Sequence, residues 1–304
     1  MAEKQSFSIK GNRKNKALVE HVAEAVFTVC ALLAVVAVAS ITVYMIINGT
    51  PALFKVGIKE ILFGTVWQSF GILYVILTSI VGTTAAVLIG APVGILTAVF
   101  IEEIASPRLA AIVKPAVELL AGIPSVIYGL LGIYLLNPMM YKLEIALFAD
   151  APDHQFTGGA NLISAVIVLA VMILPTVINV TVSALHAVPK QQKAASLAMG
   201  ATRIQTIFKV LLPSARSGIA AAVVLGTGRA IGEAMAITLV SGSSVNMPLP
   251  FNSVRFLTTA IVAEMGYAAG LHRQVLFTIG LVLFVFIMFI NISLTKILKG
   301  REDS

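Results

Sequence analysis

The chain has 304 residues, of which 58% are hydrophobic and only 12% are charged, and its mean hydropathy is +0.98. A soluble domain carries about 25% charged residues because its surface faces water, so this composition excludes a soluble globule. Its high hydrophobicity also excludes disorder, and the single cysteine, Cys30, excludes a disulfide scaffold. The composition therefore predicts an integral membrane protein.

Six apolar segments are long enough to cross a bilayer, which takes about 20 mostly apolar residues. The first, at 25–47, is expected to remain as a span, because a cleaved signal peptide would be shorter. The others are predicted at about 70–101 with a bend near Pro92, then 118–136, 161–185, 217–240 and 274–295. The predicted fold is all-α with six transmembrane helices, which places both termini on the same side.

The basic residues orient these spans. Fifteen of the 21 lysines and arginines fall at the two termini and in the loops after spans two and four, and only Arg229 lies within a span. Basic loops stay in the cytoplasm, so both termini are predicted to be cytoplasmic. We expect a basic N-terminal segment at 1–24, a membrane domain at 25–298 and a cytoplasmic tail at 299–304. The net charge of +7 is then a topology signal that indicates no nucleic-acid partner and at most weak attraction to anionic membrane lipid.

Motifs for catalysis and metal binding are absent from the sequence. There is no phosphate-binding G-x-x-x-x-G-K-[ST] loop and no G-x-S-x-G elbow, and the four histidines are scattered. We therefore expect no enzyme activity, no metal site and no cofactor bound to this chain. Energy for uphill transport would come from a partner subunit or an ion gradient.

The cytoplasmic loop at about 187–216 combines helical order with an amphipathic pattern. Good helix formers run to Gly200, which suits a helix C-terminus, and Thr202 can cap a second helix that Pro213 ends. One face of that second helix is predicted to carry Ile204, Ile207, Phe208 and Leu211. The pattern fits either a knob for a groove on another protein or a loop lying on lipid headgroups.

This loop resembles the ATPase-coupling motif of bacterial ABC importer permeases, E-A-A-x-x-x-G followed after nine residues by I-x-L-P. The residues at the matching positions are Ala195, Gly200, Val210, Leu212 and Pro213. Two positions depart from the motif, since Ala194 stands in place of the glutamate and Ser196 in place of the second alanine. The missing glutamate puts the strength of the ATPase contact in question more than docking itself.

Three further segments resemble signatures of phosphate-importer permeases, at 118–129, 228–236 and 264–272. The resemblance covers roughly residues 20 to 300 and is closest to the PstC-type permeases of high-affinity phosphate importers. It implies a type I ABC importer permease in the bacterial inner membrane that moves inorganic phosphate into the cytoplasm by alternating access. The implied partners are a PstA-type permease, two cytoplasmic ATPase subunits that bind ATP and magnesium, and an extracytoplasmic phosphate-binding protein.

Arg229 and Glu233 are the candidate substrate-pathway residues. They lie four residues apart within predicted span five, hence on one face of a continuous helix, and glycines at 226, 228 and 232 leave room there for helix approach or solute. A charge at mid-bilayer costs about 2.5–3.5 kcal/mol and usually faces a pathway. Arg229 would contact phosphate through its planar donor fork. Glu233 would accept a hydrogen bond from protonated phosphate, which sulfate cannot donate, or would tether Arg229. A plain internal salt bridge that fixes helix rotation is the alternative.

Other functions stay open at this point. The chain could be a permease for sulfate or molybdate, or a proton-coupled secondary transporter with Arg229 and Glu233 as its relay. The coupling-loop pattern and the lack of an obvious inverted repeat argue against the secondary transporter. A third possibility is a membrane scaffold or phosphate sensor that transports nothing. Elsewhere, Glu118 is predicted to pair with Lys114 one helical turn away.

Overall fold

The computed structural model describes residues 13–152 and 154–299. The described residues form helices and no strand, apart from one isolated bridge between Gly242 and Val254. The chain divides into two compact units, residues 1–48 and 49–304. Half of the predicted N-terminal segment 1–24 and nearly all of the predicted tail 299–304 lie outside the described residues.

The helices follow one another with short connections. In chain order they are α1 Arg13–Val56, α2 Ile58–Phe63, α3 Leu73–Val99, α4 Pro107–Gly122, α5 Ser125–Leu131, α6 Asn137–Phe148, α7 Leu162–His186, α8 Lys190–Ala198, α9 Arg203–Thr206, α10 Leu212–Ser214, α11 Arg216–Gly232, α12 Met235–Val240, α13 Leu257–Glu264 and α14 Gly270–Lys299. Wider π-helical turns continue α3, α5 and α9 at Phe100–Ile104, Gly132–Leu136 and Ile207–Leu211. A short 3₁₀ turn lies at Trp67–Ser69.

Five helical segments of the described chain are long and apolar enough to cross a membrane. They are Glu20–Val56, Leu73–Ile104, Ser125–Phe148, Leu162–His186 and Gly270–Ser293. A sixth is counted if Arg203–Ser214 and Arg216–Gly232, which meet at 71°, form one broken span. The predicted all-α membrane fold is confirmed, with six spans at the upper end of this count.

Span five needs both α11 and α12. The 17 residues of α11 extend about 25 Å at 1.5 Å per residue, short of a hydrocarbon core of about 30 Å. We therefore assign to this crossing also the six residues of α12, which begin after a break of two residues. The fifth crossing is therefore a helix with an interruption near its outer end.

The unit formed by residues 1–48 consists of the first part of α1 in the described chain. Its side chains between Val22 and Ile47 are almost all exposed, and most are apolar. An apolar helix exposed on all sides fits a lipid environment. Cys30 is among these exposed residues.

Span three differs from its prediction. It runs over Ser125–Phe148 instead of 118–136, and α4 is a separate helix before it. Ile123 is extended because it precedes Pro124, a position where the α conformation is disfavoured. Pro138 does not end the span: the chain stays helical through the π-helical turn Gly132–Leu136 into α6, and Pro138 lies directly after this change of hydrogen-bond pattern.

The core of the 49–304 unit is centred on α7, which packs against α3 and α11. Two glycines of α3 allow this close approach. A Cβ atom at Gly90 would lie 2.8 Å from the carbonyl oxygen of Ala170, and one at Gly94 would lie 2.8 Å from Val177. The small residues therefore set the distance between the two helices.

Candidate translocation site and coupling loop

The fifth span is interrupted between the two predicted pathway residues. Helix α11 ends at Gly232, Glu233 is extended with φ −73° and ψ 131°, and α12 begins at Met235. The expectation that Arg229 and Glu233 share one face of a continuous helix is therefore wrong. No ion pair joins these two side chains, both of which the structure describes. Gly232, with its low helix propensity, permits a helix end at this point.

Glu233 is held in place by the elements on both sides of the interruption. Its carboxylate Oε1 accepts the N–H of Ala236 at 2.9 Å and so caps α12. Its backbone carbonyl accepts the hydroxyl of Thr258, on α13, at 2.7 Å. The next contact leads to α3, because the N–H of Leu257 donates to the Ser79 hydroxyl at 2.8 Å. The break is thus a defined structure built by α3, α11, α12 and α13.

Arg229 lies in the last turn of α11, 13 residues after Arg216, which is about 20 Å along the helix. Its side chain is half-buried, and its guanidinium has no hydrogen-bond or ion-pair partner among the described residues. Arg229 acts electrostatically on Tyr128 of α5, whose hydroxyl donates to the carbonyl of Leu120 at 2.8 Å. A guanidinium at this depth without a counter-charge is suited to bind an anion.

The described residues leave open space at two glycines near Arg229 in α11, Gly228 and Gly232. A Cβ atom at Gly228 or Gly232 would meet nothing within 4 Å, whereas one at Gly226 would lie 2.8 Å from Val177. The glycines therefore divide by role: Gly226 allows the close approach of α7, whereas Gly228 and Gly232 face no packed neighbour among the described residues.

The coupling loop folds as its caps predict. Helix α8 is followed by Gly200 in the left-handed conformation, with φ +85°, a value that favours glycine. Thr202 then caps α9 in a reciprocal pair with Gln205: the Thr202 hydroxyl accepts the N–H of Gln205 at 3.2 Å, and the Gln205 side chain accepts that of Thr202 at 2.9 Å. Helix α10 ends one residue after Pro213.

The serine that departs from the coupling motif has a structural role. Ser196 is buried, and its hydroxyl lies 3.0 Å from that of Thr206, which is also buried. This hydrogen bond joins α8 to α9 across the turn at Gly200. Ala194 and Ala195, by contrast, are exposed, and so is Pro213, while Val210 and Leu212 are half-buried.

The apolar face predicted for the second helix is divided between two environments. Ile207 and Leu211 are buried in a cluster with Val99 and Leu185, at the cytoplasmic ends of α3 and α7. Ile204 and Phe208 are exposed. The π-helical turn at 207–211 changes the side-chain register, so the 3.6-residue pattern does not hold across it.

The exposed side chains form an apolar tip on the cytoplasmic loop. We define the apolar tip as Met199, Ile204 and Phe208, of which Met199 is the most exposed, at 85%. A large exposed apolar patch marks a contact with another protein or with lipid, whereas single exposed apolar side chains are ordinary. The tip is a surface that a partner groove can cover.

Two acidic residues that the sequence did not single out lie at the end of α3, and one of them, Glu103, contacts this loop. Glu103, in the π-helical turn after α3, is 2.5 Å from Lys193 of α8, and its carbonyl accepts a hydrogen bond from Arg203. Its neighbour Glu102 pairs with Lys114 at 2.9 Å and with His186 at 2.9 Å. The helical spacing had predicted that Lys114 pairs with Glu118. That prediction is wrong, because Lys114 pairs with Glu102. The sequence does contain a signal for these contacts, namely two adjacent acidic residues at the cytoplasmic end of a long apolar span.

The outer side carries two other buried carboxylates. Glu264, on α13, pairs with Arg255 and lies 2.7 Å from His272. Glu144 is fully buried, 3.0 Å from His154, and accepts the backbone N–H of Thr157 at 2.9 Å. Within the described residues, no group of three or more histidine, cysteine or acidic side chains could hold a metal ion.

Comparison with known proteins places the chain in a family. Residues 90–302 match the family described as "Binding-protein-dependent transport system inner membrane component". The chain is 37% identical over 302 residues to "Probable ABC transporter permease protein YqgH" of Bacillus subtilis (strain 168), covering 96% of this chain and 94% of that protein. It is 32% identical over 248 residues to "Phosphate transport system permease protein PstC" of Pasteurella multocida (strain Pm70), covering 78% of this chain and 77% of the relative.

Among solved structures, the fold resembles a chain of the inward-facing MetNI methionine ABC transporter. The TM-score is 0.52 at 24% identity, covering 76% of this chain and 94% of that chain. At this identity the likeness concerns the fold alone.

The family match covers most of the membrane domain, including the coupling loop and the interrupted span five. Its members are transport components of the inner membrane, so the chain is a multi-pass transport subunit and not an enzyme. The chain therefore belongs to the binding-protein-dependent transport system inner membrane components, the permease subunits of ABC transporters.

Proposed function

We propose that this chain is one of two permease subunits of an ATP-driven importer of inorganic phosphate. Its partners are a PstA-type permease, two cytoplasmic ATPase subunits that bind ATP and magnesium, and an extracytoplasmic phosphate-binding protein. The chain itself holds no cofactor. The relatives named as phosphate permeases support this substrate, since the Pasteurella protein aligns with 78% of the chain.

The observation that carries the proposal is the unpaired guanidinium of Arg229 beside open space. An anion that enters the membrane needs a counter-charge, and Arg229 has no carboxylate partner within the described chain. A planar guanidinium can donate two parallel hydrogen bonds to phosphate oxygens. In this proposal Arg229 contacts the passing anion, and the partner permease closes the open side at Gly228 and Gly232.

Glu233 contributes selectivity in the same proposal. One of its carboxylate oxygens is engaged in capping α12, which leaves the second oxygen to accept a hydrogen bond. Phosphate near neutral pH keeps a proton to donate, whereas sulfate has none, so the carboxylate tolerates the first and repels the second.

The apolar tip supports docking to an ATPase subunit. Met199, Ile204 and Phe208 present an apolar surface without the glutamate of the family motif, so apolar burial supplies most of the contact energy. When two ATPases close on ATP, they pull the loop and switch the permease pair between its outward- and inward-open states.

Uptake by the reconstituted complex tests the proposal. The four kinds of subunit are placed in liposomes, and uptake of labelled phosphate is measured with and without internal ATP, with an uncoupler, and with excess sulfate or molybdate. We expect ATP-dependent uptake that resists the uncoupler and both competitors. Uptake that an uncoupler abolishes would indicate a secondary transporter, and effective competition by sulfate or molybdate would indicate another oxyanion.

A further inference from the structure

The coupling loop is fixed to the membrane domain by two kinds of contact. Its inner face is apolar, since Ile207 and Leu211 pack on Val99 and Leu185. Helix α8 contributes no residue to this apolar cluster. It is held by polar contacts, of which the ion pair between Lys193 and Glu103 reaches the π-helical turn at the end of α3.

Glu103 holds the loop at two points. Its carboxylate, which is 10% exposed, contacts Lys193 of α8, and its backbone carbonyl accepts a hydrogen bond from Arg203 of α9. The two partners lie on either side of the turn at Gly200. A displacement of either short helix is therefore passed to the same residue at the end of α3.

The adjacent Glu102 has a different set of partners. It contacts Lys114 of α4 and His186 at the end of α7, and neither lies on the helices of the coupling loop. Neighbouring residues on a helical turn point in different directions, so two adjacent carboxylates serve two different elements. Among the described residues, Glu103 makes the polar contacts that join the loop to the end of α3, beside the apolar contact at Val99.

Helix α3 leads from this point to the translocation site. From Glu103 to Ser79 the chain is helical throughout, a distance of about 36 Å at 1.5 Å per residue. The Ser79 hydroxyl accepts the N–H of Leu257, and the adjacent Thr258 holds the carbonyl of Glu233. A shift of α3 along its axis therefore reaches the interruption in span five through two hydrogen bonds.

We propose that Glu103 is a positioning residue for energy coupling: its contacts with α8 and α9 make α3 follow the coupling loop, and α3 carries the movement to the break at Glu233. This inference rests on the proposed function for the driving force, an ATPase pulling on the loop. It goes beyond that function by assigning the transmission to one carboxylate that touches neither substrate nor ATPase.

The test measures transport and ATP hydrolysis in parallel on the complete complex in proteoliposomes. In the variant Glu103→Gln, the complex should still assemble and hydrolyse ATP, whereas the amount of phosphate moved per ATP falls at least about tenfold, the effect expected from loss of one charged hydrogen bond. The matched control is Glu102→Gln, which removes the same charge one residue away and should keep the wild-type ratio. A residue that merely stabilised the fold would lower transport and hydrolysis together.

A charge exchange keeps the test decisive if the single variant assembles poorly. Glu103→Lys combined with Lys193→Glu restores an ion pair of opposite orientation, and it should recover most of the transport per ATP that either single change loses. A wild-type ratio in Glu103→Gln, or a double variant no better than its single variants, would overturn the inference. If the wild-type complex moves sulfate and not phosphate, the proposed substrate is wrong, but the ratio is then measured with sulfate and the role of Glu103 is tested all the same.

Discussion

Replacing Arg229 by alanine should separate transport from stability. The guanidinium has no hydrogen bond or ion pair within the described chain, so the variant removes no internal polar contact. A charge at membrane depth costs about 2.5–3.5 kcal/mol on insertion scales. We therefore expect the stability of the complex to stay within about 0.5 kcal/mol of wild type or to increase.

Transport by the same variant should be nearly abolished. Each hydrogen bond to a charged group contributes about 1.5–3 kcal/mol. Losing a bidentate contact with phosphate, which has two such bonds, should therefore lower uptake by at least about a hundredfold. Arg229→Lys keeps the charge without the planar fork and should give an intermediate rate. The assays are labelled phosphate uptake in proteoliposomes and the melting temperature of the purified complex.

Arg255 provides the matched comparison, because it is a second arginine on the outer half that does have a partner, Glu264. Arg255→Ala leaves that largely buried carboxylate with one contact fewer and should lower the stability by up to about 3 kcal/mol. Near-normal uptake by Arg229→Ala would remove Arg229 from the pathway. A loss of stability as large as that of Arg255→Ala would mean that Arg229 has a structural partner after all.

Three further predictions concern selectivity, packing and docking. Glu233→Gln should weaken the discrimination of phosphate from sulfate in competition uptake, because an amide does not repel sulfate, while its oxygen can still cap α12. Gly226→Ala should lower the free energy of unfolding by about 1–3 kcal/mol, since its Cβ would lie 2.8 Å from Val177. In Gly228→Ala the new Cβ would meet nothing within 4 Å, so the free energy of unfolding should be unchanged or should rise by up to about 1 kcal/mol. Phe208→Ser should weaken ATPase binding about tenfold in a titration of the permease pair with ATPase, because an exposed apolar anchor is lost.

Each of these predictions has a result that would contradict it. An unchanged phosphate-to-sulfate ratio in Glu233→Gln would remove the carboxylate from selectivity. Equal melting temperatures for Gly226→Ala and Gly228→Ala would show that α7 and α11 do not pack as closely as described. Full ATPase binding by Phe208→Ser would exclude the apolar tip as the contact. Ile207→Ser is the control, because Ile207 is buried and its replacement should lower the stability of the permease.

The sequence predicted most of the spans because apolar length is a local property. Spans one, two, four and six lie close to their predicted positions, and the caps at Gly200 and Thr202 are where the loop pattern indicated. Span three was placed several residues too early because the segment continues through Ile123-Pro124 without a charged residue. The extended residue before the proline was the available signal for this boundary.

The interruption at Glu233 could not be found from periodicity. Gly-Glu-Ala-Met is compatible with a helix, and the break depends on a hydroxyl 25 residues later, at Thr258. The contact of Glu103 with Lys193 joins residues 90 positions apart, so no local pattern contains it. Hydrophobic pattern predicts which segments are helices, whereas polar contacts between distant segments decide where a span breaks and what moves with it.

The interrupted span also constrains the order in which the chain can be made. When Val240 has left the ribosome, Thr258 has not yet been made. The carbonyl of Glu233 therefore still lacks the hydrogen bond that the Thr258 hydroxyl donates to it in the finished fold. At a synthesis rate of about 5–20 residues per second, the roughly 18 residues from Val240 to Thr258 take about 1–4 s to follow. For that interval the fifth span has an exposed polar group at membrane depth, where an unpaired group costs several kcal/mol. We therefore expect span five to settle into the bilayer only when α13 has been made, so the two enter the membrane as a single unit.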